Sequence, residues 1–196
     1  MKEMIQMVVV LTVLSVVSGA SLAFIQDKTT ANIEDNKLKF VKGPAIRGIL
    51  KDATNDPIKD RFKLEAEGAE HTFFTGVIDG KPNSVVFESS GKGFGGDVGI
   101  VVGVDLETDK ITGVRVTTHS ETPGVGARAA TDLSFVAQFK DLPIEDTYKV
   151  KSDGGQVDAL SGATITSRAV SAGVTEAGKM YKALKPKIEE NVQSLK

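Results

Sequence analysis

The pattern of hydrophobic and polar positions changes period along this chain of 196 residues. Met4 through Ile25 holds no charged residue and one strongly polar residue, Gln6, with Val8, Val9, Val10, Leu11, Val13, Leu14, Val16 and Val17 at its centre. Apolarity on every side, rather than along one stripe, does not suit a helix lying on a soluble core. About 22 residues rising roughly 1.5 Å each cover about 33 Å, enough for a bilayer core. The segment reads as an uncleaved transmembrane helix. A signal peptide cut after Ala23 competes with it, because Ser21-Leu22-Ala23 has the small-x-small pattern. Residues 26–46 turn polar and mixed in charge, and read as a tether into a first helix or strand.

Alternation takes over further on. His71 to Ile78 is rich in β-formers and ends in the turn signal Asp79-Gly80. Ser84 to Glu88 is a second candidate strand. Gly99 to Leu106 and Ile111 to Thr118 form the clearest pair, joined by Glu107-Thr108-Asp109-Lys110 as a hairpin. Strict alternation in the last strand puts Ile111, Gly113, Arg115 and Thr117 on one face and Thr112, Val114, Val116 and Thr118 on the other. One face is then partly polar, which suits an antiparallel sheet with a wetter side. Near the carboxy terminus Val170, Val174, Ala177, Tyr181, Leu184 and Ile188 recur at helical spacing, an amphipathic stripe for core packing. Pro186 is expected to kink or end that helix near Leu184, with 187–196 as a short frayed continuation. No internal repeat or long linker interrupts the chain beyond about residue 45. The expected fold class is α+β: a single N-terminal transmembrane helix, then one domain with a mainly antiparallel sheet packed by helices. The expected boundaries are 1–27 for the anchor, 28–45 for the tether and 46–196 for the domain.

Composition narrows the chemistry. Hydrophobic residues make up 40% of the chain, enough for a core, and the net charge is -2, which argues against nucleic acid as a partner. The absence of cysteine removes disulfides, thiolate metal sites, protein-ligated iron–sulfur clusters and thiol nucleophiles. The two histidines, His71 and His119, do not suffice for a multi-histidine metal site. The positive-inside rule gives no support to an N-in anchor, since Lys2 precedes the segment while Lys28, Lys37, Lys39 and Lys42 follow it.

Three motifs remain. Gly91, Gly93 and Gly96 satisfy G-x-G-x-x-G, but a strand follows where a dinucleotide fingerprint needs a helix. They read instead as an irregular turn where backbone approaches sheet packing or a ligand closely. His119 to Gly126 follows a strand and contains a Pro-Gly turn, either an ordinary loop or a site. Asp158 to Ser167 crowds small residues and hydroxyls at the start of the last helix. Free N–H groups and the helix dipole there suit a phosphate, which a Thr hydroxyl could also esterify. Simple capping by Ser161 or Thr164 explains the same residues.

Two of these motifs, taken together, resemble FMN-binding domains. Ser161-Gly162-Ala163-Thr164-Ile165-Thr166 matches their [Ser/Thr]-Gly-Ala-[Ser/Thr]-x-[Ser/Thr] flavinylation motif. His119-Ser120-Glu121-Thr122-Pro123-Gly124-Val125-Gly126 resembles their His-x-Glu-Thr-Pro-Gly-Leu-Gly loop, with Val125 where Leu is usual. The turn Gly93-Phe94-Gly95-Gly96 also resembles a family element. With the anchor, the chain is similar to G subunits of the Rnf electron-transport complex. The resemblance implies one FMN joined through its phosphate to the hydroxyl of Thr166, at a side chain expected to be partly exposed. Ser161, Gly162, Ala163 and Thr164 would shape the phosphate end, and Glu121, Thr122, Pro123 and Gly124 would lie near the flavin ring or ribityl chain. The resemblance also implies that a separate flavin transferase, using FAD and a divalent metal, makes the bond; the motif itself holds no histidine or lysine to serve as base.

The implied role is an electron relay, without catalytic residues or a metal of its own, in a complex coupling electron transfer between ferredoxin and NAD to ion movement. Its partners would be the other membrane and iron–sulfur subunits, the transferase during maturation, and membrane lipid. The implied place is the inner (plasma) membrane, single-pass, with the domain on the extracytoplasmic (periplasmic) side. Alternatives are the C subunit of a sodium-pumping NADH:quinone reductase, or an anchored extracytoplasmic FMN-binding module without a relay role.

Overall fold

A computed structural model describes residues 1–66 and 68–194 and divides the chain into two compact units, Met1–Phe40 and Val41–Lys196. The first unit is dominated by helix α1, Lys2–Lys37. Its stretch Lys2–Thr30 is long and apolar enough to cross a membrane, and its valines and leucines are exposed throughout. The expected tether is largely helical. After α1 come a π-helical turn, Leu38–Lys42, and α2, Gly43–Ile49. No glycine or proline interrupts 28–42, so nothing in the backbone stops the helix there, and Pro44 fits the first turn of α2.

The second unit is built on five antiparallel strands in sequence order: β1 (Arg61–Ala66), β2 (Ala69–Ile78), β3 (Lys81–Lys92), β4 (Asp97–Asp105) and β5 (Lys110–Thr118). Asp79 and Gly80 both take positive φ, 53° and 75°, as the two-residue hairpin between β2 and β3 requires. The register of β5 departs from strict alternation. Val104 pairs with Ile111 and Gly103 with Gly113, so Thr112 is an extra residue, a β-bulge. The bulge turns Ile111 onto the same core as Val114 and the partly buried Val116, where simple alternation would have separated them.

Both sheet faces are covered. Phe73, Val85, Phe87, Ile100 and Val102 face the main core. The opposite face is not the wetter surface expected, because Phe74, Val86 and Val101 lie buried there with Ile46 and Leu50 of the α2 segment. Helix α5, Thr164–Ser194, packs on the main core through Val170, Val174, Ala177, Tyr181, Leu184, Ile188 and Val192. It runs on through Pro186 instead of ending near Leu184. The proline removes one helical hydrogen bond, but Ile188 and Val192 are buried beyond it and hold the axis on course. Residues 195 and 196 of the expected frayed end lie outside the described residues.

Close backbone approach sets the depth of α5. A Cβ on Gly91 of β3 would stand 1.9 Å from the Ala169 carbonyl oxygen. Ser89 Oγ donates to the Gly173 carbonyl at 2.8 Å across the same seam. Farther along, the Phe87 and Tyr181 rings stack at 6.4 Å. Asp109, in the β4–β5 hairpin with φ 55°, accepts hydrogen bonds from Tyr181 Oη at 2.6 Å and Lys185 Nζ at 2.6 Å. Between β5 and α5 the chain passes through α3 (Arg128–Thr131), α4 (Leu133–Ala137) and a 3-10 turn, Lys151–Asp153. This excursion lies along the β5 edge. The Ile111 N–H donates to the Leu142 carbonyl and the Asp141 N–H to the Ile111 carbonyl. Phe135, Phe139 and Tyr148 meet edge to face and bury the excursion's inner side.

Two outcomes are expected. Gly91→Ala should destabilise the domain by about 2 kcal/mol, because a methyl group would be driven into helix backbone. In a thermal melt of the detergent-solubilised chain that is a fall of about 4–8 °C, and an unchanged melt would refute the close seam. Burial pushes the Asp109 carboxyl up, but the hydrogen bonds from Lys185 and Tyr181, with the Lys185 charge, outweigh it and hold it below its ordinary value of 3.8. Its stabilisation is therefore complete above that ordinary value and disappears as pH falls through the lowered one. Between about pH 5 and about pH 3 the parent's melting temperature should fall more steeply than that of Asp109→Asn.

Candidate functional site

The loop after β5, the turn between β3 and β4, and the first turn of α5 converge on one cleft of about 350 Å³. Phe94 comes from the turn, Glu121, Thr122, Val125 and Gly126 from the loop, and Gly162 to Thr166 from the start of α5. The local sequence explains each arrival. Gly162, at φ 79°, reverses the chain just before the helix begins at Thr164. The first-turn amides of a helix have no partner within it and point outward, the geometry that receives an anion. Ser167 braces this corner: its Oγ donates to the Ala163 carbonyl and accepts the Leu160 N–H, both at 3.0 Å.

Thr166 and Glu121 are the centre of the site. The Thr166 hydroxyl donates to Glu121 Oε2 across 45 residues of sequence. Glu121 Oε1 accepts the N–H groups of Phe94 and Gly95, each at 2.9 Å. The Glu121 N–H donates to His119 Nδ1 at 3.3 Å. Glu121 is 5% exposed and Thr166 2%. Burial pushes the Glu121 carboxyl up, but hydrogen bonds from Thr166, Gly95 and Phe94 outweigh it and keep the group below its ordinary value. A buried carboxylate with three donors is tolerated where an unpaired one is not. Gly126 is obligatory beside it, since a Cβ there would stand 2.6 Å from Thr166 Oγ1 and 2.7 Å from Glu121 Oε2.

The glycine turn approaches both α5 and the site. Gly91 meets the helix, while a Cβ on Gly93 would meet Glu121 Oε1 at 2.5 Å and one on Gly95 the Ser120 carbonyl at 2.1 Å. Thr166 departs from the expected partial exposure: its side chain is buried, because the helix start is drawn under the Glu121 loop. Ala163 is buried and Thr164 half-buried at the cleft, while Ser161 and Gly162 are exposed. Thr122 lines the cleft, and Pro123 and Gly124 form the exposed tip of the loop, Gly124 with φ 73°.

Four contributors lie outside the site residues expected from sequence. Phe94, 73% exposed, presents an aromatic ring at the cleft, with Val125 and Ile165 also exposed beside it. Arg128 donates from Nη1 to the Ser161 carbonyl at 3.5 Å and sets a cation beside the helix start. The signal for Phe94 was an aromatic inside a glycine turn. Arg128 gave none, because only the fold brings residue 128 to residue 161.

The donor set fits a phosphorylated, partly apolar ligand. Amides and a hydroxyl sit at one end of the cleft, and Phe94, Val125 and Ile165 offer apolar contact.

The FMN-binding domain family matches residues 93–179, which hold all three site segments. The G subunit of an ion-translocating oxidoreductase complex from Methanosarcina acetivorans is 36% identical over 171 residues, 86% of this chain and 89% of that one. The G subunit of a proton-translocating ferredoxin:NAD(+) oxidoreductase complex from Clostridium ljungdahlii is 30% identical, covering 85% of each chain. The corresponding G subunit from Stutzerimonas stutzeri is 36% identical, over 63% of this chain and 56% of that longer one. In fold, the chain is similar to the C subunit of the Na(+)-translocating NADH-quinone reductase of Parabacteroides distasonis, with a TM-score of 0.55 and 22% identity over 71% of this chain and 89% of that one. Identity sustained along nearly the whole of both chains, together with an FMN-binding domain in the expected place, settles the kinship: this chain belongs to the family of G subunits of ion-translocating oxidoreductase complexes.

Proposed function

We propose that this chain carries one FMN, bound covalently through a phosphoester to Thr166, and relays electrons within a membrane-bound ferredoxin:NAD oxidoreductase complex of the Rnf type. The observation that carries this reading is the Thr166 hydroxyl, placed where the cleft meets the first turn of a 31-residue helix. That position suits a phosphate diester: helix amides face it and Arg128 lies beside the same turn. Gly162 leaves the approach to the backbone open. Phe94, Val125 and Ile165 offer apolar surface for an isoalloxazine. When bound, FMN supplies the one- and two-electron chemistry, while the protein supplies position and electrostatics.

Family membership supports the remainder of the reading. The other membrane and iron–sulfur subunits would hold the neighbouring redox centres. A flavin transferase would load Thr166 from FAD. The apolar stretch of α1 would hold the chain in the inner (plasma) membrane with lipid around it, and the FMN domain would face the extracytoplasmic side. A covalent tether suits that side, where a lost cofactor is hard to replace.

Thr166→Ala, co-produced with the transferase, should carry no covalent flavin, read as in-gel fluorescence after denaturation and as intact mass. Fluorescence persisting at the parent's level would place the attachment elsewhere. The same variant strands Glu121 Oε2 without its donor, so a stability loss of about 1–3 kcal/mol should accompany it. Thr166→Ser should retain flavin, because the hydroxyl remains. Gly126→Ala should cut the rate of attachment by about tenfold or more, since its methyl would displace the reacting oxygen. Peptide mapping of each variant checks where the flavin sits.

A further inference from the structure

We propose that Glu121 is the chain's own proton acceptor for modification at Thr166, the group that makes this hydroxyl, among its neighbours, the nucleophile. The inference rests on the covalent attachment proposed above and adds what the attachment site itself contributes.

The hydroxyls of this corner are not equivalent. Ser167 Oγ donates to the Ala163 carbonyl and accepts the Leu160 N–H. Ser161 is exposed on the loop. Thr166 donates its proton to an ionised, buried carboxylate. Glu121 Oε1 is already committed to the amides of Phe94 and Gly95, so Oε2 is left facing Thr166. The carboxylate is thus held rigidly by backbone on one side and aimed at a hydroxyl on the other. A resting phosphate anion gains nothing from a carboxylate at that distance. A hydroxyl that must lose its proton while attacking phosphorus does gain, and an acidic side chain accepting the nucleophile's proton is the arrangement that phosphoryl transfer to hydroxyls uses elsewhere.

The step balances. The Thr166 Oγ1–phosphorus bond forms on the FMN half of a flavin adenine dinucleotide. The pyrophosphate P–O bond breaks and AMP leaves with the bridging oxygen. The Thr166 proton passes to Glu121 Oε2 and is then released to solvent. No oxidation state changes. The transferase supplies the donor and its metal, and the acceptor chain supplies the deprotonating group.

The pairing itself exists only in the folded domain. Glu121 and Thr166 lie 45 residues apart and meet only through the β5 loop and the start of α5. A peptide holding Ser161 to Thr166 lacks the carboxylate.

The test is a kinetic assay on the detergent-solubilised full chain, made without the transferase, then mixed with purified flavin transferase, FAD and Mg²⁺. Flavin addition is followed by intact mass and peptide mapping. Glu121→Gln keeps an amide oxygen for the Phe94 and Gly95 N–H groups but cannot take a proton. Its kcat should fall about 10²-fold, with KM for the acceptor chain within about twofold of the parent. Glu121→Asp keeps the charge one methylene farther back and should fall between the two. Should the Gln variant fail to fold by circular dichroism, the Asp variant carries the test, with a kcat loss of about tenfold at unchanged KM. Parent-like kcat in the Gln variant, or in the Asp variant when it stands alone, overturns the proposal, as does a loss confined to KM. Parent protein modified at another residue, or not at all, brings down the Thr166 attachment itself, an outcome distinct from parent modification at Thr166 that ignores Glu121.

Discussion

Helix α5 touches the sheet at backbone distance, and the site inherits its geometry from that contact. Gly91 gives the room for Ala169, Ser89 ties Gly173 to β3, and the Tyr181 ring stacks on Phe87, which is tilted against Phe73. These contacts fix α5 in depth and along its axis. Its amino-terminal end, where Thr166 lies only three residues before Ala169, therefore has no freedom to drift. The Glu121 loop closes over that fixed end. Such rigidity is what an attachment point for a redox group needs, since a misplacement of about 1 Å can cost orders of magnitude in a positioned reaction.

Glu121 joins two otherwise separate pieces of the domain. Its carboxylate takes the turn between β3 and β4 with one oxygen and the start of α5 with the other. A neutral amide could satisfy part of this set, but not as a charge-assisted acceptor. Holding an ionised group at 5% exposure is costly unless its lone pairs are used. The arrangement makes sense when that group also has chemistry to perform, and the lowered affinity of Glu121 for protons keeps it ready in its charged form.

Much of this architecture is legible in the sequence. The apolar run from Met4 to Ile25, the β4–β5 hairpin, the stripe from Val170 to Ile188 and the two site motifs are all local patterns, and the elements stand where those patterns put them. What escapes has non-local causes. Arg61 to Ala66 alternates polar and apolar residues and still gives no clear sign of β1, because a short strand of mixed charge is no stronger than a loop in isolation. Thr112 is ordinary in sequence, yet as a bulge it reassigns Ile111 to the core. The sheet face toward α2 looks wet in sequence because the partners that cover it, Ile46 and Leu50, sit far upstream. Pro186 is a helix breaker by propensity and is overruled by burial beyond it. The motifs identify Thr166 and Glu121 singly; only the fold shows that the one donates to the other.

That bond makes folding a chemical event for this residue. In the unfolded chain Thr166 stands beside no acid; docking of the loop onto the start of α5 gives its hydroxyl a carboxylate partner, so the short motif and the folded site are chemically different objects.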